Sequence, residues 1–288
     1  MDVRRLRLLL ELARRGTITA VAEALAYTPS AVSQQFAVLE REAGVPLLER
    51  TGRRVALTPA GMILAQYAES ILATLEEASA ALAATRSALT GPLRVGAYPS
   101  AARTILPPAL VALGREHPRL ELMVSELDPA AVPGALHAGA LDIAITSVYD
   151  YVPAEPDPAL DAEPLLDEVV YLATTAEDAI PTIEGCRDAS WIAGSPGTMC
   201  HTMLARLCQA RGFTPRIRHH ADDFATVLAL VAAGQGVSLV PQLGASGAPP
   251  SVTLTPLKTR RHTEIAYRKG TRHHPVISAF ASAIRAVI

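Results

Sequence analysis

The sequence predicts an α/β protein with a small helical domain at its N-terminus and a larger domain of alternating strands and helices. Two observations lead to this prediction. Apolar residues recur at helical spacing through most of residues 1–86, whereas short apolar runs alternate with helical patterns beyond residue 91. The chain has 288 residues, half of them hydrophobic, so it is long enough for two or three domains with separate cores.

The composition argues against several classes of protein. The N-terminus has no continuous apolar segment and no small-residue cleavage pattern, so we expect no secretory signal. The longest apolar stretch, near 225–233, is too short to span a membrane, and three cysteines do not make a disulfide framework. We therefore expect a cytoplasmic protein without membrane contact.

The net charge of −2 argues against nucleic-acid binding, but the distribution of charge argues for it. Residues 1–65 contain nine arginines and six acidic residues, and Arg50, Arg53 and Arg54 form a cluster. A basic segment joined to a larger acidic one is typical of a chain that binds DNA with one part only. A solvated charged surface would explain the same residues.

Three short helices are predicted within the first 44 residues. The first ends at Gly16, and the second begins after Thr17 as its N-cap. The third begins at Pro29, which follows Thr28 as N-cap, and ends at Gly44.

The third helix has two different faces. Val32, Phe36 and Leu39 recur at helical spacing and form an apolar face. The opposite face is small and polar near the N-terminus and basic near the C-terminus, and it comprises Ser30, Ser33, Gln34, Ala37 and Arg41. Short polar side chains let a helix enter the major groove, and Gln can pair with an adenine edge. This face predicts a recognition helix, with an ordinary solvated face as the alternative.

Two short apolar strands flank Thr51-Gly52-Arg53-Arg54, which predicts a β-hairpin with a basic tip. A hairpin beside a helix-turn-helix is a wing. We expect Arg50, Arg53 and Arg54 to lie along the phosphate backbone, where they give affinity without sequence information. Residues 1–58 are therefore predicted to form a winged helix-turn-helix domain.

A long helix is predicted from Thr58-Pro59 to about Arg86. Six apolar residues have heptad spacing along it: Leu64, Ala68, Ile71, Leu75, Ala78 and Leu82. A single helix with such a seam needs a partner, so we expect residues 59–90 to form a linker that joins two chains in a homodimer. Packing of this seam against its own domain is the alternative.

Residues 1–65 resemble the DNA-binding domain of LysR-type transcriptional regulators. The matching residues include the leading helix that ends at Gly16 and six further segments: Ala22-Glu23-Ala24-Leu25, Pro29-Ser30-Ala31-Val32-Ser33-Gln34-Gln35, Leu39-Glu40, Gly44-Val45-Pro46-Leu47, Glu49-Arg50 and Leu57-Thr58-Pro59-Ala60-Gly61. Leu48 and Phe36 depart from the family pattern, but both are hydrophobic exchanges. The resemblance implies that one group of residues approaches the bases, namely Thr28, Pro29, Ser30, Ser33 and Gln34. It implies that Arg50, Arg53 and Arg54 approach the phosphates.

Strands and helices alternate from Gly91 to the end of the chain. Strands are predicted at 93–97, 120–125 and 141–146, with helices at 102–116 and 131–138. A loop at 152–164 precedes a second set of strands and helices. We expect one domain over 91–288, with one lobe at about 91–164 and 264–288 and the other at about 165–263.

This domain resembles periplasmic binding proteins, as it does in the LysR family. The matching segments are Leu93-Arg94-Val95-Gly96, Leu141-Asp142-Ile143-Ala144-Ile145 and Val231-Ala232-Ala233-Gly234-Gln235-Gly236-Val237-Ser238-Leu239-Val240-Pro241. The resemblance implies that residues near 165 and 262 cross between the lobes. A ligand would lie in the cleft, where strands end and helices begin.

The candidate effector-binding residues follow strands or begin helices at this cleft. They are Tyr98, Ser100, Ala101, Thr146, Ser147, Ser195, Thr198, Asp223 and Phe224. Hydroxyls and free backbone N–H groups suit a small polar effector, an anionic one included. Each of these residues could instead serve as a helix cap.

No cofactor, metal site or catalytic centre is predicted. Cys200 and Cys208 lie on one predicted helix, roughly 12 Å apart, which is too far for a disulfide unless the helix unwinds. Peroxide-sensing LysR-type proteins place two cysteines in a similar region, but buried structural cysteines are the favoured interpretation. The histidines at 219–220 and 273–274 lack ligand partners at metal spacing. We find no hydrolase, P-loop or zincin motif, so we do not expect an enzyme.

The sequence thus predicts a winged helix-turn-helix, a long linker helix and a two-lobed, periplasmic-binding-protein-like α/β effector domain. We expect a LysR-type regulator that binds double-stranded promoter DNA and a small-molecule effector. The resemblance implies homotetramers, and RNA polymerase is a further candidate partner. The alternatives are an enzyme, a solute-binding transport protein, and an architectural DNA-binding protein without an effector.

Overall fold

The structure, a computed structural model, describes residues 1–51, 54–86, 88–153, 156–177 and 182–288. A helical domain with a hairpin comes first, a long helix follows, and a mixed α/β domain completes the chain. Within those ranges, none of the helices combines the length and the apolar character needed to cross a bilayer.

The three N-terminal helices are confirmed, together with their ends. They are α1 (Val3–Arg15), α2 (Ile18–Ala24) and α3 (Pro29–Ala43). Gly16 and Gly44 end α1 and α3 with φ of 69° and 73°, a conformation that glycine adopts without steric cost. The hydroxyls of Thr17 and Thr28 cap α2 and α3 by accepting backbone N–H groups.

The apolar faces of these helices meet in one core. Leu9, Val21, Val32, Phe36 and Leu39 are all buried there. Burying each such side chain stabilises the fold by about 1.5–3 kcal/mol. This core holds the opposite face of α3 towards solvent.

A two-stranded hairpin follows α3, with β1 (Leu48–Thr51) antiparallel to β2 (Arg54–Leu57). Glu40 of α3 sets its position, because its Oε1 accepts the backbone N–H groups of Leu47 at 2.9 Å and Leu48 at 3.0 Å. The hairpin is therefore held against the end of the third helix, as a wing requires.

The long helix α4 (Pro59–Ala84) has 26 residues and begins at Thr58 as its N-cap. The residues of the predicted seam are exposed only in its second half. Leu64 and Ala68 pack into the core of their own domain, whereas Ile71 and Leu75 are 41% and 45% exposed. Helical spacing alone could not distinguish these two environments.

The apolar stripe that is exposed on α4 begins one residue earlier than the predicted seam, at Ile63 and Tyr67 in place of Leu64 and Ala68. It consists of Ile63, Tyr67, Ile71, Leu75, Ala78 and Leu82, and we call it the linker stripe. Leu82 is 70% exposed. Nothing in the described part of a single chain covers this stripe.

The C-terminal domain is built on a six-stranded sheet in the order β4-β3-β5-β10-β6-β9. Its strands are β3 (Gly91–Ala97), β4 (Leu120–Glu126), β5 (Ile143–Tyr149), β6 (Leu160–Thr175), β9 (Ser238–Pro241) and β10 (Val252–Arg268). The first three are parallel, and each of the others runs antiparallel to the strand before it in the sheet order. A parallel pair, β7 (Ser190–Ala193) and β8 (Arg216–His220), completes the strands of the described residues.

Two strands are longer than predicted. Residues 160–164, expected in a loop, belong to β6, and the predicted strand at the end of β10 is only its last third. The two strands pair along almost their whole length. Residues 165 and 262, expected to cross between the lobes, lie within them. Acidic residues and Pro164 made the beginning of β6 look like a loop, and only long-range pairing makes it a strand.

Six helices of the described residues cover the sheets: α5 (Pro99–Thr104), α6 (Leu106–Glu116), α7 (Val132–His137), α8 (Met199–Ala210), α9 (Phe224–Ala232) and α10 (Pro275–Arg285). The single helix predicted at 102–116 is wrong. The structure has two helices there, which are separated at Ile105, just before Pro107-Pro108. Separate clusters of buried residues lie in the two lobes. The exact domain and lobe boundaries stay a prediction.

We expect Gly61→Ala to destabilise the N-terminal domain. A Cβ at residue 61 would lie 2.2 Å from the carbonyl oxygen of Leu47, so the backbone must shift. Such overpacking costs about 1–3 kcal/mol, measurable by urea unfolding of the full chain. Gly114→Ala is the matched control, because its Cβ meets only Leu122 at 3.9 Å. Equal stability of the two variants would contradict the close approach.

Candidate DNA-binding surface and interlobe cavity

The polar face of α3 is open to solvent. Thr28, Pro29, Ser30, Ser33 and Gln34 are all exposed. The three hydroxyl side chains are held by local hydrogen bonds: the hydroxyls of Thr28 and Ser30 lie 3.1 Å apart, and Ser33 donates to the carbonyl oxygen of Pro29 at 3.0 Å. The helix therefore presents an ordered, narrow surface at its N-terminal end.

Two adjacent glutamines on α3 have different environments. Gln35 accepts a hydrogen bond from Arg5 at 3.3 Å, which ties it to α1. Gln34 has no hydrogen-bond partner among the described residues, and its amide is free for a partner outside the chain. Arg41, near the other end of the face, is exposed and basic.

The wing arginines are described only in part. Arg53 lies outside the described residues, as do the side chains of Arg50 and Arg54. The backbones of Arg50 and Arg54 take part in the pairing of β1 with β2. Their contact with phosphates stays a prediction.

A cavity of about 210 Å³ lies between the two lobes of the C-terminal domain. Five of the predicted effector-binding residues line it, namely Tyr98, Ser100, Ser147, Thr198 and Phe224. They come from both lobes and from the ends of different strands and helices. Strand ends and helix beginnings therefore do converge there.

The other four predicted residues do not line this cavity, each for a local reason. Ala101 is fully buried in the core beneath α5. Thr146 precedes Ser147 on β5 and so faces the other side of the sheet. Ser195 donates its hydroxyl hydrogen to Asp222 at 2.7 Å, and Asp223 caps α9 by accepting the N–H of Thr226.

A buried ion pair lies at the closed end of the cavity, which sequence reasoning missed. Arg261 of β10 donates from Nε and Nη2 to the carboxylate of Glu168 on β6, at 2.6 and 2.8 Å. The two side chains are 2% and 0% exposed. The partners are 93 positions apart, so local patterns could not pair them. A charged residue within each apolar strand pattern was the one signal in the sequence that pointed to a buried ion pair.

Polar groups from both lobes surround this pair. Arg261 donates to the hydroxyl of Ser100 at 3.1 Å and lies 4.4 Å from the centre of the Tyr98 ring. The Tyr98 hydroxyl lies 2.7 Å from that of Thr263. Burial raises the pKa of Tyr98 to about 12, so it stays a neutral hydrogen-bonding group.

Direct contacts join the lobes across the cleft. The carboxylate of Asp128 accepts the backbone N–H of Met199, at the beginning of α8, at 3.2 Å. Arg103 lies 3.6 Å from Asp223, and the Tyr149 hydroxyl lies 3.5 Å from the Cys200 thiol. The cavity is thus enclosed by a partly closed cleft.

The cysteines are free thiols. Burial raises the pKa of Cys186 to about 11 and that of Cys208 to about 12, and it also raises the pKa of Cys200. All three are therefore protonated at neutral pH, the less reactive form of a thiol. Within the described residues, His, Cys, Asp and Glu side chains form no group that could hold a metal ion.

Comparisons with known proteins agree along the whole chain. A family model described as "LysR substrate binding domain" matches residues 86–288, and one described as "Bacterial regulatory helix-turn-helix protein, lysR family" matches residues 3–62. The HTH-type transcriptional regulator GltR of Bacillus subtilis (strain 168) is 30% identical over 292 residues, which cover 99% of this chain and 96% of GltR.

Two further similarities are to OxyR proteins. The DNA-binding transcriptional dual regulator OxyR of Escherichia coli (strain K12) is 29% identical over 300 residues, which cover 99% of this chain and 95% of OxyR. The solved structure of a cysteine mutant of OxyR from Corynebacterium glutamicum superposes with a TM-score of 0.60 at 27% identity. This match covers 99% of this chain and 91% of that chain.

We expect Glu168→Gln to destabilise the protein by about 3–5 kcal/mol, because the buried charge of Arg261 loses its counter-charge. The double variant with Arg261→Met should lose less, since neither charge remains buried. Urea unfolding of both variants measures the difference. Asp167→Asn, on the exposed side of the same strand, is the control; it loses only an exposed ion pair with His262 and should cost less than about 1 kcal/mol. A double variant as unstable as the single one would refute the coupling.

Proposed function

The chain belongs to the LysR family of bacterial DNA-binding transcriptional regulators, and on that premise we propose how it binds DNA and its effector. We propose that α3 reads promoter DNA in the major groove and that a small molecule binds in the interlobe cavity. The exposed polar face of α3, with the unpaired amide of Gln34, is the observation that supports DNA reading most directly.

The proposed DNA contacts divide into two kinds. Gln34 pairs with a base edge, while Thr28, Ser30 and Ser33 let the helix approach the groove. Arg50, Arg53 and Arg54 of the wing bind phosphates and provide affinity without sequence information. The net charge of the whole chain is no obstacle, because these groups are concentrated in one domain.

Self-association follows from the linker stripe. A row of apolar side chains on a 26-residue helix, uncovered in a single chain, is expected to pair with the same helix of a second chain. The resulting two-fold symmetry places two recognition helices on an inverted repeat. We propose a dimer through α4 and, in keeping with the family, a homotetramer of two dimers.

The effector contacts that we propose are the five predicted residues that line the cavity: Tyr98, Ser100, Ser147, Thr198 and Phe224. Ligand binding between the lobes would favour their closed arrangement, because only that arrangement contacts the ligand from both sides. The four residues outside the cavity support its walls in this proposal.

Several relatives are named as activators of hydrogen peroxide-inducible genes, but a response to peroxide is not favoured for this chain. A peroxide-reactive cysteine needs a low thiol pKa, and burial raises the pKa of all three thiols here. We therefore propose a bound metabolite as the effector. We also propose that the protein has no enzymatic activity and works in the cytoplasm, where the chromosome lies.

We expect Gln34→Ala to lose sequence discrimination. A good contact of Gln to adenine contributes about 1–3 kcal/mol of preference for the right base. Gel shifts on the protein's own upstream DNA and on a scrambled sequence, at two salt concentrations, measure the ratio of affinities. The ratio should fall in the variant, while the salt dependence should not change.

Gln209→Ala is the control for this substitution, since Gln209 is an exposed helical glutamine of the C-terminal domain. It should bind DNA like the wild type. Full selectivity in Gln34→Ala would remove the assignment of α3 as the reading helix. Failure of the wild type to bind any fragment in an unbiased genomic selection would remove the proposed DNA binding itself.

We expect Val227→Phe to block the effector response while it preserves DNA binding. Val227 is buried in the wall of the cavity, so a larger side chain at this position fills part of the volume of the cavity. A collection of metabolites is tested for changes in melting temperature and in the gel shift. Val111→Phe is the control, because Val111 is exposed on α6. An unchanged response in Val227→Phe would place the effector elsewhere.

A further inference from the structure

Two carboxylates from opposite lobes line the interlobe cavity near its opening. Asp128 follows β4 in one lobe, and Asp222 precedes α9 in the other. Their hydrogen bonds are to neutral donors: Asp128 accepts the N–H groups of Ala130 and Met199, and Asp222 accepts from Ser195. Within the described residues, neither carboxylate forms an ion pair. A third carboxylate, Glu126, lines the same region and is exposed.

These acidic groups influence one another across the cleft. Burial raises the pKa of Asp128, and the charge of Asp222 raises it further. Both carboxylates and the Cys200 thiol lie close together: a Cβ at Gly194 would lie 3.3 Å from Asp222 Oδ1 and 3.4 Å from the Cβ of Cys200. Asp128 accepts the N–H of Met199, the residue before Cys200. A cation between the two carboxylates would relieve their repulsion.

The closed end of the cavity offers hydrogen-bond donors. Ser147 is only 2% exposed and lines the cavity, yet its hydroxyl has no hydrogen-bond partner among the described residues. The Nη1 of Arg261 has none there either, and Ser100 accepts from Arg261 without donating its own hydroxyl hydrogen to a described residue. The described residues supply no acceptor for these donors, and a ligand in the cavity can supply one.

The cationic charge at this end is already balanced. Glu168 neutralises Arg261 through two short hydrogen bonds. An anionic ligand would therefore meet no excess positive charge, and it would meet the carboxylates of Glu126, Asp128 and Asp222. This charge distribution disfavours the anionic effector that the sequence allowed.

The wall between the two ends is apolar. It is formed by Met199, Met203, Leu204, Phe224 and Val227. A cavity of about 210 Å³ suits a small metabolite. Flexible methionines accommodate an aliphatic or aromatic group.

We propose that the effector is a small amphipathic amine whose ammonium group lies between Asp128 and Asp222 and whose hydrogen-bond acceptor faces Ser147. Its apolar body lies against the methionine-rich wall. This inference rests on the proposed function, because it assigns the chemistry of the same cavity. Since the two carboxylates belong to different lobes, one ammonium group bridges the cleft and favours its closure.

The test uses the full chain and matched probes that differ in one group. L-Leucine, L-phenylalanine and their amides carry an ammonium group, an acceptor and an apolar body. 4-Methylpentanoate and 3-phenylpropanoate lack only the amine. Calorimetric titration at pH 7 should show binding of at least one amine-bearing probe and none of the matching deaminated acid.

Two conservative variants locate the ammonium group. Asp222→Asn keeps an oxygen that accepts from Ser195 but removes the charge, so it should weaken binding about tenfold or more. Asp128→Asn should do the same. Asp188→Asn is the matched control: it is an exposed carboxylate of the same lobe, lies outside the cavity lining, and should bind the probe as the wild type does.

The failures of the two proposals differ. Binding of a deaminated acid, binding by none of the amines, or full affinity in Asp222→Asn overturns the amine inference. If a ligand that lacks the amine binds the wild type but not Val227→Phe, the cavity remains the effector site. If amines bind equally well to Val227→Phe, they bind elsewhere, and the proposed cavity function fails as well.

Discussion

The ion pair between Arg261 and Glu168 is the constraint on which the C-terminal domain depends. The two residues lie directly opposite each other in the register of β10 and β6, the strands that run from one lobe to the other. Removing both charges from water is costly, and the cost is offset only when the geometry is good. A shift of either strand by one residue would turn one charge to the other face, so the pair fixes the register and with it the placement of the lobes.

The same strand connects the cavity to the rest of the chain. Arg261 lies at the closed end of the cavity, and Arg268, at the end of β10, binds Glu76 of α4 at 3.1 Å. Just beyond it, a Cβ at Gly270 would lie 2.3 Å from the carbonyl oxygen of Ala73, so the chain touches the linker helix closely. A displacement of β10 therefore reaches α4 directly, without passing through the core of the DNA-binding domain.

The sequence predicted what local chemistry determines. Thr-Pro helix starts and glycine helix ends act within a few residues, so α1 to α4 were placed correctly. The long strands and the Arg261–Glu168 pair depend on partners far along the chain, which periodicity cannot identify. Asp222 was missed in favour of Asp223. The sequence places both residues just after β8, but it does not show which of the two side chains faces the cavity. Asp128 was missed because it follows its strand through a loop.

In the linker helix the heptad spacing is present, but its residues do not form a single exposed surface as the spacing predicted. The heptad spacing from Leu64 to Leu82 is real, but Ala68 is fully buried in its own domain while Leu82 is largely exposed. One helix therefore completes the core of the DNA-binding domain and also carries the uncovered linker stripe. Glu76, adjacent to Leu75 of this stripe, is the residue that β10 contacts. In the proposed dimer through α4, a change at the cavity would reach the helix that joins the two chains, and so the spacing of their recognition helices.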